Sequence, residues 1–305
     1  MRYLFLMVLS VFAALNIASA HEEGNFVHSK FASDRNESDK VAILMVHFGT
    51  THDDTRALTI EAINNKVKET FNEWDFFEAY TSRIVIKRLA ERGIYKKTPA
   101  QMLDVLKEEG YKYVMIQPTN IIDGVEMEAL QKEIDSVKKD FSDIRLGNPL
   151  LYTPEDYEKV ILALKSYLPE SESVVLVGHG TYTPVTASYA MLDYMLKSKG
   201  LDSFHVGTIE GYPSLDNVIS MLKKQNAKKV LLVPFMFVAG DHAKNDISVD
   251  WKEKLNEEGF DVSYFSEGLG QNPGITDLFV EHIRFAANHR MVDILDKKAK
   301  YAKGE

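Results

Sequence analysis

Four stretches of the chain are apolar without polar alternation: residues 41–46 (VAILMV), 113–117 (YVMIQ), 174–177 (VVLV) and 230–233 (VLLV). Strands buried on both faces of a parallel sheet read this way, whereas strands with one wet face alternate. Shorter apolar runs at 76–80, 144–147, 204–209 and 262–265 predict four more strands. Between them the apolar residues recur at helical spacing. Leu58, Ile60, Ile63, Val67 and Phe71 predict a helix opened by Asp53 and Asp54; Thr98-Pro99 opens another, and Gly93 and Gly110 end two. Further helices are predicted over about 126–138, 157–167, 185–197, 215–224, 251–258 and 275–290. Strands and helices alternating at this rhythm predict an α/β fold with a parallel, helix-covered sheet.

The pattern occurs twice. Setting Pro118 against Pro234 also sets Gly124 against Gly240 and Glu126 against His242, and VAILMVHFGT at 41–50 matches SVVLVGHGT at 173–181. Ala79-Tyr80-Thr81-Ser82-Arg83 then falls against 206–210. Order and near-constant spacing indicate two diverged copies of one α/β unit, with one cleft between two similar halves. The expected organisation is an N-terminal α/β domain over 41–168 and a C-terminal one over 169–295, with a charged, frayed tail over 296–305.

Composition narrows the classes. Arg2 precedes an apolar run that ends in Ala18-Ser19-Ala20, the pattern of a signal peptide over 1–20, so an exported or periplasmic protein starting at His21 is expected. The run is short for a transmembrane anchor, and none is expected. Residues 21–40 are polar enough to predict a flexible leader. Cysteine is absent, which excludes disulfides and thiolate metal sites. With 36 basic and 45 acidic residues the formal charge is -9, and no basic cluster interleaves with aromatics, so nucleic acid is not an expected partner.

The candidate chemistry gathers at strand ends. His179 lies between Gly178 and Gly180 directly after a buried strand; Glu210 and His242 follow two others, and the carboxyl edge of such sheets is where ligands bind. Two imidazoles and a carboxylate suit a late first-row divalent ion and leave coordination positions open. A histidine there can equally accept a proton near neutral pH. Inserting a metal into a macrocycle would use both properties. Gly178-His179-Gly180 lacks the third glycine of a dinucleotide loop, and no Gly-x-Ser-x-Gly elbow is present, so no nucleotide is expected. His47 and Arg83 could line the opposite wall, Arg83 by pairing with substrate carboxylates, while Tyr182, Phe235 and Met236 offer apolar surface to a flat ligand. A tight turn at His179 and core filling by the aromatics are the competing roles.

FGT after the first strand, AYTSR after the second, VGHGT, Glu-x-Tyr-Pro at 210–213 and above all VAGDHAKND resemble the anaerobic sirohydrochlorin cobaltochelatases, single-chain class II chelatases, over essentially all of 41–290. The resemblance implies a two-domain α/β lyase that inserts Co2+, and often iron in the same reaction, into the tetrapyrrole sirohydrochlorin for cobalamin synthesis without ATP; Co2+ is the expected substrate metal, with Fe2+ or Ni2+ as the other candidates for this ligand set. It implies His179 and His242 as metal-binding and proton-removing residues, with Glu210 as their carboxylate partner, and a homo-oligomer. His47 stands where the family usually has Ser, and Asn120 falls in a stretch where it typically has His, so a haem is not expected. Export fits a cytosolic pathway poorly; the alternative reading is an exported protein that binds haem or another tetrapyrrole, or handles iron porphyrin, for an uptake system.

Overall fold

The computed structural model describes residues 25–168, 173–240 and 243–303. Its strands are β1 (Phe26–His28), β2 (Lys40–His47), β3 (Asp75–Tyr80), β4 (Tyr111–Pro118), β5 (Asp143–Leu146), β6 (Ser173–Gly180), β7 (Phe204–Glu210), β8 (Lys229–Pro234), β9 (Asp261–Tyr264) and β10 (His289–Met291). Two four-stranded sheets result, ordered β3-β2-β4-β5 and β7-β6-β8-β9, and every ladder in them is parallel. Numbered within each half, both orders are 2-1-3-4. The repeat read from the sequence is therefore a repeat of topology.

Burial follows from that order. The central strands β2, β4, β6 and β8 carry the unbroken apolar runs and are buried almost throughout, while the edge strands β5 and β9 alternate. Alternate residues of a strand face opposite sides. Ile43, Met45, Val174 and Leu176 thus join one core shared by both halves. Ala42, Leu44 and Val46 face Leu103, Leu106, Leu130 and Ile134 on one outer side; Val175 and Val177 face Val218, Leu222, Trp251 and Leu255 on the other.

Two helices tie the halves together. Pro154–Tyr167 begins with a capping box in which Thr153 and Asp156 bond reciprocally, Pro154 taking the first helical position. Pro273–Asn288 follows the last strand of the second sheet yet returns to the first half. There His282 meets Asp156 at 3.0 Å, Lys66 meets Asp277 at 2.5 Å, and Arg145 donates to the Ala286 carbonyl at 2.8 Å. Residues 31–287 accordingly form one compact unit, so the expected boundary at 168/169 separates two sheets but not two cores.

The expected ends differ from those found. Residues 1–20 of the proposed signal lie outside the described residues, as do 21–24 of the leader. The rest of the leader is ordered: Phe31 is buried against Trp74 and Tyr113, because its ring escapes water there. In a separate unit, formed by the segments that end at Lys30 and start at Asn288, β1 pairs antiparallel with β10, and Ile294–Lys303 is helical rather than frayed. No helix among the described residues is long and apolar enough to cross a membrane.

Candidate active site at the carboxyl edges

The carboxyl ends of both sheets open on common ground. His47, at the end of β2, stacks on Phe237 beyond β8 with centroids 6.1 Å apart; a Cβ added to Gly240 would lie 3.6 Å from the Thr50 hydroxyl. On the other flank, the Gly124 turn reaches Val185 after β6. The exit loops of the two sheets therefore meet, as two facing copies require.

His179 is half-buried at the end of β6, and its Nδ1 lies 3.2 Å from the Gly180 carbonyl. Gly180 pairs with Glu210 at the end of β7, which places His179 and Glu210 one position apart on neighbouring strand ends. The pairing demands glycine: φ at Gly180 is +82°, and a Cβ there would lie 1.6 Å from the Glu210 carbonyl oxygen. Glu210 is exposed, and its segment is tied down where the Thr186 hydroxyl donates to the Tyr212 carbonyl at 3.1 Å. His242 lies outside the described residues, two positions past Gly240. Among the described residues no group of three His, Asp or Glu side chains is placed to hold a metal.

The remaining candidates divide between surface and core. Tyr182 is 84% exposed, beside the His179 turn. Met236 is half-buried against the outer cluster of the second half. Arg83 is exposed at the start of helix Arg83–Ala90, which Ser82 caps by accepting from the Val85 amide. Phe235, however, is fully buried and meets Tyr189 edge-on, so its expected contact with a ligand is corrected to a place in the shared core.

His47 is corrected in the same way, for a reason the ladders supply. Val46 pairs with Pro118 and Val177 with Pro234, so Val46 corresponds to Val177, His47 to Gly178 and Phe48 to His179. A one-residue offset reverses the face of a strand residue. His47 thus points into the shared core, 1% exposed, where its Nε2 donates to Asn64 Oδ1 at 2.9 Å and its Nδ1 lies 3.1 Å from the Thr119 hydroxyl. Asn64 passes the chain on to Glu78 at 3.0 Å. Burial holds the His47 imidazole at a pKa of about 4, against the partial opposition of Glu78, so it is neutral at physiological pH. In the second half Tyr189 fills the matching space, its ring 2.2 Å from where a Gly178 Cβ would be. Phe48, 46% exposed, is an aromatic at the same edge that the run of apolar residues does not single out. Aligning Gly49-Thr50 with Gly180-Thr181, rather than histidine with histidine, would have found it.

Comparison with known proteins decides the family. The profile described as "Cobalt chelatase (CbiK)" matches residues 41–288. The chain belongs to the CbiK cobalt chelatase family. It is 37% identical over 257 residues to a sirohydrochlorin cobaltochelatase of Salmonella typhimurium, covering 82% of this chain and 97% of that one. To the sirohydrochlorin cobaltochelatase CbiKC of Nitratidesulfovibrio vulgaris it is 29% identical, covering 82% and 91%. Among solved structures, SirB from Bacillus subtilis with Fe3+ shares the chelatase fold with a TM-score of 0.59 at 18% identity, covering 81% of this chain and 96% of SirB. A cobalt complex of the Bacillus subtilis sirohydrochlorin chelatase SirB gives the same score at 15% identity.

Proposed function

We propose that this CbiK-family chain is a sirohydrochlorin cobaltochelatase, a metal chelatase that inserts Co2+ into sirohydrochlorin without nucleotide. One observation carries the reading. The strand-end pair His179 and Glu210 sits at the carboxyl edge of a chain that matches a sirohydrochlorin cobaltochelatase over 82% of its length and 97% of that relative's.

In the chemistry this implies, two pyrrole N–H groups of the macrocycle lose their protons as the ion enters, and both metal and macrocycle are substrates. His179 and His242 hold the incoming ion through their lone-pair nitrogens, and as the ion passes to the macrocycle each freed nitrogen takes up one of the two pyrrole protons. Glu210 supplies the negative charge that draws the cation in and orients the imidazole beside it. Phe48, Tyr182 and Met236 offer apolar surface to the flat ring, and Arg83 meets its peripheral carboxylates. Fe2+ and Ni2+ fit the same ligand set and are proposed as alternative metals. Action outside the cytoplasm as a homo-oligomer, after cleavage near Ala20, completes the proposal.

The test is an absorbance time course of Co2+ insertion by the purified mature chain with no nucleotide added. Acceleration over the uncatalysed rate supports the reading. Tight haem binding without acceleration overturns it in favour of tetrapyrrole uptake.

A further inference from the structure

A second place for a metal ion lies on the short ribbon of β1 and β10, which belongs to neither four-stranded sheet. The register sets Phe26 opposite Met291, Val27 opposite Arg290 and His28 opposite His289. The Ser29 amide donates to the Asn288 carbonyl, and the Val292 amide to that of Asn25, each at 2.8 Å. Hydrogen-bonded and non-hydrogen-bonded pairs alternate along an antiparallel ladder. With 25/292 and 29/288 bonded, His28 and His289 form a non-hydrogen-bonded pair, the kind whose Cα atoms approach to about 4.5 Å and whose side chains stand side by side on one face.

The rings are placed accordingly, with centroids 5.8 Å apart and planes at 83°. An imidazole nitrogen binds a late first-row ion at about 2.0–2.1 Å, which puts the ring centroid about 3.2 Å from the metal. Two rings on one ion therefore have centroids about 4.5 to 6.4 Å apart, as the bond angle runs from 90° to 180°. The observed spacing falls inside that span. His28 is exposed and His289 half-buried, so an ion can reach both from solvent without a cavity.

We propose that His28 and His289 form a two-imidazole site for a late first-row divalent ion, with Cu2+ held most tightly. The order Co2+ < Ni2+ < Cu2+ > Zn2+ is what N-donor sites of unconstrained geometry follow, and nothing in an open ribbon imposes another. The site is independent of the chelatase reading, since neither histidine belongs to the catalytic set.

The experiment uses the mature chain carrying His21→Ala, His179→Ala and His242→Ala, so that the amino-terminal and strand-end imidazoles contribute nothing, titrated with Cu2+, Ni2+ and Co2+ by calorimetry. One Cu2+ per chain is expected, held more tightly than Ni2+ or Co2+. Adding His28→Gln or His289→Gln should weaken Cu2+ at least tenfold, and the Cu2+ electron paramagnetic resonance spectrum should show two coupled imidazole nitrogens falling to one. Unchanged affinity in both variants, or no more than one coupled nitrogen before either is made, overturns the site. In the otherwise natural chain both variants should keep their Co2+-insertion rate.

Discussion

The two halves share a strand order, a glycine-threonine turn after the first strand and a proline at the end of the third, yet they put their first-strand histidine to opposite uses. In the second half His179 sits two residues past Val177, the last outward-facing valine, and is half-buried beside Glu210. In the first half His47 comes one residue earlier, and the pleat turns it into the shared core, bonded to Asn64 and facing Thr119. Residue type and fold are the same in both places. Phase along the strand decides whether a histidine is offered to a ligand or spent on packing.

The largest effect expected from that contrast is on rate. His179→Ala should lower Co2+ insertion about 100- to 10,000-fold, the range for loss of a positioned proton-transfer group, with little change in unfolding. His242→Ala should do the same, and the double variant should be far less than additive if both residues act on one ion. Initial rates with urea unfolding alongside measure it. A near-native rate for His179→Ala would sink its assignment.

His47→Ala should do the reverse. It leaves Asn64 and Thr119 without their buried partner and opens a cavity in the shared core, which should cost about 2–4 kcal/mol of stability. Insertion per folded molecule should stay within about threefold. The pH dependence sharpens this. His47 and, in the second half, His205 are both held at a pKa of about 4 from an ordinary 6.5, each chiefly by burial, with Lys197 adding to the effect at His205. Below pH 6.5 the unfolded chain takes up protons that these folded imidazoles refuse, so the stability they provide is complete above 6.5, falls down to about 4, and falls no further below. Each contributes a slope approaching about 1.4 kcal/mol per pH unit. His47→Gln should flatten the curve of stability against pH between 6.5 and 4 by one group's share; an unchanged slope would mean that the imidazole is not buried neutral.

Glu210→Gln tests the second strand end of the pair. A carboxylate that orients and charges a metal-binding group is worth about 10- to 100-fold. The loss should appear mainly as a raised apparent KM for Co2+, with macrocycle binding kept. If KM for the macrocycle rises instead, Glu210 faces the tetrapyrrole and not the ion.

The sheets were legible because a central parallel strand has no wet face, and an unbroken apolar run as short as VAILMV suits that position better than any half-exposed one. The repeat was legible because prolines and glycines mark the same corners twice. Three things were not. The phase of His47 depends on which residue pairs with Pro118, and that is a property of the ladder rather than of the run. The return of helix Pro273–Asn288 to the first half rests on partners such as Asp156, far away in sequence and unmarked by local pattern. Residues 25–28 read as leader because their partner strand, 289–291, lies at the other end of the chain. What the sequence could show of the site was its residue types at strand ends; the glycine requirement at Gly180 needed the Glu210 carbonyl in view.

The smallest effect expected concerns the residue that stands in the first half where His179 stands in the second. Phe48 is an apolar ring left 46% exposed at the carboxyl edge, and burying what remains of it against a flat macrocycle would contribute about 1 kcal/mol. Phe48→Ala should therefore raise KM for sirohydrochlorin about 3- to 10-fold while leaving kcat nearly unchanged, because a face contact is made equally in the ground and transition states. Phe48→His carries the comparison further. It places an imidazole at the matching position, but Ser82 occupies the place that Glu210 holds in the second half, so the substitution should not rescue His179→Ala. Rescue would show that strand position alone makes a metal-binding histidine in this fold; its failure, with the KM effect present, leaves the first half as a wall for the ring and the second as the place where the ion is held.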